Sequence, residues 1–278
     1  MLVLDMTRFQ QHNHEWYAEG ISLNAIAEKI GTPCYVYSRA TLEQQWHAFN
    51  NAFQNQAHQI NYAVKANSNL AVLNILAQLG SGFDIISEGE LRRVLKAGGL
   101  PEKIIFSGVG KTTAELKAAL EIGVGCINVE SKAELERLNN LAILLNKKAT
   151  IAIRLNPDVD PKSHPYISTG LQENKFGINI TEASALYQQA LTLPGIHIQG
   201  IAFHIGSQIT TLSPFLEALD KILALIGKLK KLGVAITHLN VGGGLGVHYQ
   251  NETPPKPYAY VTAILAAIQT MQKNAGIS

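Results

Sequence analysis

Between residues 60 and 273 the sequence alternates a short β-rich run with a helical stretch seven times, and no long linker intervenes. INYAVKAN (60–67), GFDIIS (82–87), IIFSG (104–108), CINVES (126–131), TIAIRLNP (150–157), GIAFHIGSQ (200–208) and HLNVGGG (238–244) are the β-rich runs. Each is followed by a segment with helical spacing of apolar residues, the last near 258–273. A strictly alternating chain folds either as an open doubly wound sheet or as a (β/α)8 barrel. The early runs recur every 21 to 24 residues, which suits a barrel. The near-continuous apolar character of the runs is that of parallel strands buried on both faces. The expected fold class is therefore α/β, a TIM (β/α)8-type barrel with about seven of its eight βα units. CYVYS (34–38) is a further β-rich run that precedes the first of them.

Helix boundaries are written in local chemistry. Ser87 with Glu90, Thr112 with Glu115 and Ser131 with Glu134 each fit the S/T-x-x-E capping box, in which hydroxyl and carboxylate satisfy orphan amides at the helix start. Ser213-Pro214 places a capping residue before a proline at the first helical position. Gly80, Gly98 and Gly123 follow helices, where a left-handed residue is wanted.

Composition excludes several functions. Lys+Arg of 23 against Asp+Glu of 21 leaves a formal charge of +2, without the concentrated basic excess of a nucleic-acid binder. No apolar run approaches the ~18 residues of a membrane span. The first residues, MLVLDMTRFQQHNHEW, carry no apolar signal region. Two distant cysteines, Cys34 and Cys126, make neither a disulfide framework nor a CxxC motif. A cytoplasmic protein with reduced thiols is the expectation.

In parallel α/β folds, ligands sit at the C-terminal ends of the strands. The first strand ends at Lys65, after Tyr62, Ala63 and Val64. A lysine buried there becomes a usable nucleophile; one whose stem lies along the strand and whose head reaches water fits the same sequence. The seventh strand ends in Gly242, Gly243 and Gly244. Such a run exposes backbone amides to an anion or simply makes a tight turn, and the loops after strands seven and eight of a barrel commonly hold phosphate. The sixth ends in His204, followed by Ser207; the imidazole can stack on a flat ring, move a proton or serve packing alone. Asp84 and Arg154 are charges inside apolar strands, where burial demands a partner or a ligand.

SGVGKT (107–112) looks like a phosphate-binding loop, but the first glycine of GxxxxGK[ST] would fall on Ile105. The nine histidines show no HExxH or comparable metal spacing, so no metal is expected.

YAVKAN (62–67), HPYISTG (164–170) with NKFGI (174–178), FHIGSQ (203–208) and LNVGGGLG (239–246) together resemble the diaminopimelate decarboxylase family. That family lies in the alanine-racemase-like, fold-type III group of pyridoxal 5'-phosphate (PLP) enzymes. The resemblance implies that Lys65 bonds PLP and that His204 stacks on its ring. It also implies that Ser207 and Gly242, Gly243 and Gly244 hold the phosphate, with Asp84 and Arg154 lining the ring and lysine side. The implied reaction is loss of CO2 from meso-2,6-diaminopimelate to give L-lysine, in a cytoplasmic homodimer.

Members of the family continue into an eighth strand with an E-P-G-R motif and a C-terminal β domain with a C-E-S-x-D motif, neither of which occurs here. The expectation is accordingly an incomplete barrel over 39–278, inactive on its own. Residues 1–38 would form an N-terminal segment whose CYVYS strand joins the β domain in the family. The alternatives are another fold-type III decarboxylase of basic amino acids, or a PLP-binding barrel without catalysis.

Overall fold

The computed structural model describes residues 9–160 and 176–274. The HPYISTG motif and the start of NKFGI fall outside them.

Strands β1 (Phe9–His12), β2 (Glu15–Ala18) and β3 (Ile21–Ser22) form a small antiparallel sheet, followed by helices α1 (Leu23–Ile30) and α2 (Arg39–Ala52). Glu15 holds the sheet to the start of α1, accepting from the hydroxyls of Ser22 and Tyr17 and the amide of Asn24. Glu19 reaches the start of α2, accepting from the Ser38 hydroxyl and the Ala40 N–H at 2.5 and 2.8 Å. Residues 34–38, the CYVYS run, pair with no strand among the described residues. A lone β-rich run has no ladder to join, and Tyr35 stands 92% exposed.

The βα alternation then runs as expected. In chain order come β4 (Asn61–Ala63), α3 (Leu70–Gln78), β5 (Gly82–Ile85), α4 (Glu88–Lys96), β6 (Ile104–Phe106), α5 (Thr113–Ile122), β7 (Cys126–Val129) and α6 (Lys132–Leu144). After these come β8 (Ala149–Asn156), β9 (Ile178–Asn179), α7 (Ala183–Leu191), β10 (Ile196–Phe203), α8 (Ser213–Lys231), β11 (His238–Asn240) and α9 (Pro257–Asn274). Seven strands lie in the order β11-β10-β8-β7-β6-β5-β4, with β9 paired to β8 off this path. Every pairing in this sheet is parallel. The sheet curls as part of a barrel, with β4 and β11 at its two edges. Outside it, α9 packs on both α8 and α2, so the helix that precedes β4 and the last helix meet across the unpaired edges. No helix among the described residues is long and apolar enough to cross a membrane.

The period-2 geometry of strands sorts the residues. Phe83, Ile85, Ile104, Phe106, Ile127, Val129, Ile151, Ile153, Ile201 and Phe203 point outward into the main core beneath the helices. The intervening positions face the barrel interior, where Ile105, Cys126, Ala152 and Ala202 make a second, small cluster. Asp84, Asn128 and Arg154 alternate with the outward set on β5, β7 and β8. This explains charges in apolar strands: they lie on the inner face, toward the mouth, not in the core.

Of the three S/T-x-x-E motifs, only Thr112–Glu115 closes reciprocally. Ser87 and Ser131 accept the amides of Glu90 and Glu134, but the two carboxylates reach one residue further back, to Ile86 and Glu130. Ser213 is already helical and provides no side-chain cap to α8, which corrects the capping role expected of it. Gly80, Gly98 and Gly123 adopt φ of 83°, 91° and 81°, as the helix ends require.

Candidate active site

The strand ends deliver their side chains to one mouth. Lys65 sits in a single 3-10 turn, Val64–Ala66, directly after β4. It is exposed rather than buried within the strand, because the chain turns at Val64 and only Val64 enters the core. Its ammonium nevertheless acts on Asp84, Glu90 and His204. Asp84 on β5 accepts the Ser107 hydroxyl at 2.6 Å, and Ser107 in turn accepts from Asn128 Nδ2 at 2.9 Å. Burial raises the Asp84 carboxyl above its ordinary range, while that hydrogen bond and the charges of Lys65 and Arg154 oppose the rise.

Arg154 on β8 is held from the next strand end. Its Nη1 donates to both oxygens of Glu130, at 2.9 and 3.0 Å, and Glu130 also accepts the Gly108 N–H at 2.7 Å. The guanidinium lies 5.6 Å from the Phe176 ring centre. A second ion pair supports this one from behind. Lys111 donates to Glu134, Gly108 O and Asn128 O, each at 2.7 Å, with its side chain fully buried. The lysine of SGVGKT thus turns into the protein and ties its own loop to β7 and α6.

His204 follows β10. Burial, then the charges of Arg154 and Lys65, push its pKa down to about 4, so at neutral pH it presents an uncharged ring. Its Nδ1 accepts the Gly243 N–H at 3.3 Å, which leaves the proton on Nε2. Ser207 is exposed on the same loop. The glycine run packs against this loop. A Cβ on Gly242 would lie 2.4 Å from Phe203 O, and one on Gly244 would lie 2.0 Å from Gly206 O, whereas a Cβ on Gly243 would meet nothing. Gly242 and Gly244 also take φ of 72° and 101°. Glycine is therefore required at two positions for close packing, and at the third it leaves a free surface beside backbone amides. An exposed primary amine, a neutral flat ring, a hydroxyl and an open glycine turn fit an aldehyde-bearing aromatic phosphate such as PLP.

Lys65, Asp84, Arg154 and His204 are coupled electrostatically, and Ser207 and the three glycines adjoin His204 in the chain or in space. Glu130, Glu90, Ser107 and Asn128 were missed in the sequence. Glu130 directly follows β7, so the strand-end rule that found the others applies to it equally. The sequence marks Glu90 only as a cap, although Asp84 and Lys65 both bear on its carboxyl after burial.

A family model described as "Pyridoxal-dependent decarboxylase, pyridoxal binding domain" matches residues 39–277. Diaminopimelate decarboxylase of Vibrio cholerae serotype O1 is 56% identical over 266 residues, covering 96% of this chain and 64% of that protein. That of Haemophilus influenzae is 53% identical over 264 residues, covering 95% and 64%. The chain thus spans just under two thirds of the length of these curated relatives. The crystal structure of Helicobacter pylori diaminopimelate decarboxylase complexed with L-lysine superposes with a TM-score of 0.86 at 43% identity, covering 88% of this chain and 62% of that one.

Proposed function

The chain belongs to the pyridoxal-dependent decarboxylase family, and on that premise we infer that it carries the PLP-binding barrel of an enzyme that converts meso-2,6-diaminopimelate to L-lysine and CO2. The observation that carries this reading is the meeting of Lys65, Asp84, Arg154 and His204 with an open glycine turn at one barrel mouth. It is supported by the 56% identity to a diaminopimelate decarboxylase. Lys65 would hold the aldehyde carbon of PLP covalently, and Ser207 with Gly242, Gly243 and Gly244 would hold its phosphate. When bound, PLP supplies an electron sink for the pair left behind as CO2 departs.

The chain's own residues prepare the site. His204, uncharged at neutral pH, can lie against an aromatic ring without placing a positive charge there. Glu130 fixes the Arg154 guanidinium by two contacts, so that the cation cannot swing to a substrate carboxylate without breaking a buried pair. Ser107 and Asn128 orient the Asp84 carboxyl. We assign the setting to the cytoplasm, which suits the free thiols Cys34 and Cys126, and the assembly to a homodimer.

The test is CO2 release from meso-diaminopimelate, L-lysine, L-ornithine and L-arginine by the enzyme that carries this barrel, with borohydride fixation of PLP and peptide mapping. Turnover of diaminopimelate alone, with the label on Lys65, is expected. Turnover of ornithine or lysine instead would overturn the substrate, and a label elsewhere would overturn the role of Lys65.

A further inference from the structure

The loop after β10 and the glycine loop after β11 are joined by a short zipper next to the mouth. Ile209 N donates to Gly244 O and Gly246 N donates to Ile209 O, both at 2.9 Å, in a parallel bridge between Ile209 and Leu245. The next rung comes from a side chain. Gln208 Nε2 donates to Val247 O at 2.5 Å, while Gln208 Oε1 accepts Val247 N at 2.9 Å. One carboxamide thus satisfies both backbone groups of one residue, which needs a donor and an acceptor on the same planar group. Gln208 does so from φ of 54°, a left-handed conformation that a residue with a Cβ keeps only when its surroundings hold it there.

The geometry points to Gln208 as a positioning residue for the anion cradle: by clasping Val247 it fixes the Gly242–Gly244 turn and so favours the phosphate-bearing cofactor over its phosphate-free form. The inference rests on the PLP reading above. Gln208 acts through the zipper, because its polar atoms are spent on Val247. The zipper ends on Gly244, whose backbone lies so close to Gly206 that no Cβ fits. Movement of 245–247 is therefore transmitted to the glycine turn. The bonds lie at the surface, so the effect is moderate, about tenfold in affinity.

The test uses Gln208→Ala and the near-isosteric Gln208→Met, which retains volume but offers neither donor nor acceptor. PLP and pyridoxal are titrated separately into the cofactor-free protein, and amide exchange at Val247 is followed without cofactor. Both variants should bind PLP about tenfold more weakly, bind pyridoxal as the parent does, and exchange Val247 faster. Gln208→Glu, which keeps only the acceptor, should fall between. Equal losses for both compounds, or PLP binding unchanged, would overturn the role. A parent protein that binds neither compound overturns the PLP reading and the phosphate preference with it; unchanged exchange at Val247 in the variants removes the clasp itself.

Discussion

Arg154 and Glu130 form a two-point ion pair in which the carboxylate is the deeper partner, its side chain 1% exposed against 14% for the guanidinium. The two halves of such a pair are not equally expendable. Arg154→Met leaves a carboxylate buried without its counter-charge, a change that costs about 3–5 kcal/mol. Glu130→Gln leaves a guanidinium that can reach the open mouth, and its amide oxygen can still accept the Gly108 N–H. That loss should be about 1–2 kcal/mol. Urea denaturation of both variants at pH 7 measures the difference, and equal losses would show that burial does not set the cost here.

Lys111 and Glu134 are both buried, at 0% and 4% side-chain exposure. Burial raises the Glu134 carboxyl, and the Lys111 charge is what opposes that rise. Lys111→Met should therefore destabilise the protein by about 3–5 kcal/mol. Lys111→Met combined with Glu134→Met should recover part of that loss, since no charge is then left uncompensated. It should not recover all of it, because Gly108 O and Asn128 O also lose their donor. A double variant as unstable as the single one would show that the carbonyl contacts, and not the charge, dominate.

These two pairs mark where sequence reading stops. The strands were legible because apolar runs and helix caps are local: β5, β6 and β7 start at Gly82, Ile104 and Cys126, where the runs place them. Asp84, Arg154 and His204 were legible because a charge or imidazole in an apolar strand is conspicuous. Lys111 and Glu134 were not, since 23 positions separate them and nothing local says that a loop lysine turns inward. The sequence leaves the exposure of Lys65 open, because the turn at Val64–Ala66 continues an apolar sequence without a break. The small sheet β1–β3 was missed because FQQH and EWYA lack the alternation that marks a half-buried strand.

The three glycines should separate by substitution. Gly244→Ala meets Gly206 O at 2.0 Å from a φ of 101° and should cost about 2 kcal/mol or more in stability. Gly243→Ala meets nothing within 4 Å and should melt close to the parent. Its methyl group would instead stand on the open face of the turn, so PLP binding should weaken while pyridoxal binding changes little. Thermal melts and paired titrations read both effects. A Gly243→Ala protein with unaltered PLP affinity would place the phosphate elsewhere.

The depressed pKa of His204 makes a pH dependence with a definite sign. The imidazole titrates near 6.5 when unfolded and at about 4 in the folded cofactor-free protein. Between those values the unfolded chain binds the proton and the folded one does not, so acid favours unfolding. Stability is at its full value above the unfolded pKa, falls as the pH drops below it, and levels off once the pH passes the folded value. From pH 7.5 to pH 5 the loss due to this one group is about 2 kcal/mol. Asp84 runs the opposite way: burial raises its carboxyl, so it contributes stability at low pH that is lost as the pH rises through its elevated range. Comparing the parent with His204→Gln isolates the imidazole, because both proteins keep Asp84. Denaturant unfolding at the two pH values should show the parent losing about 2 kcal/mol more than the variant. Parallel losses in the two proteins would mean that His204 is not held neutral by its burial and by the nearby charges of Arg154 and Lys65.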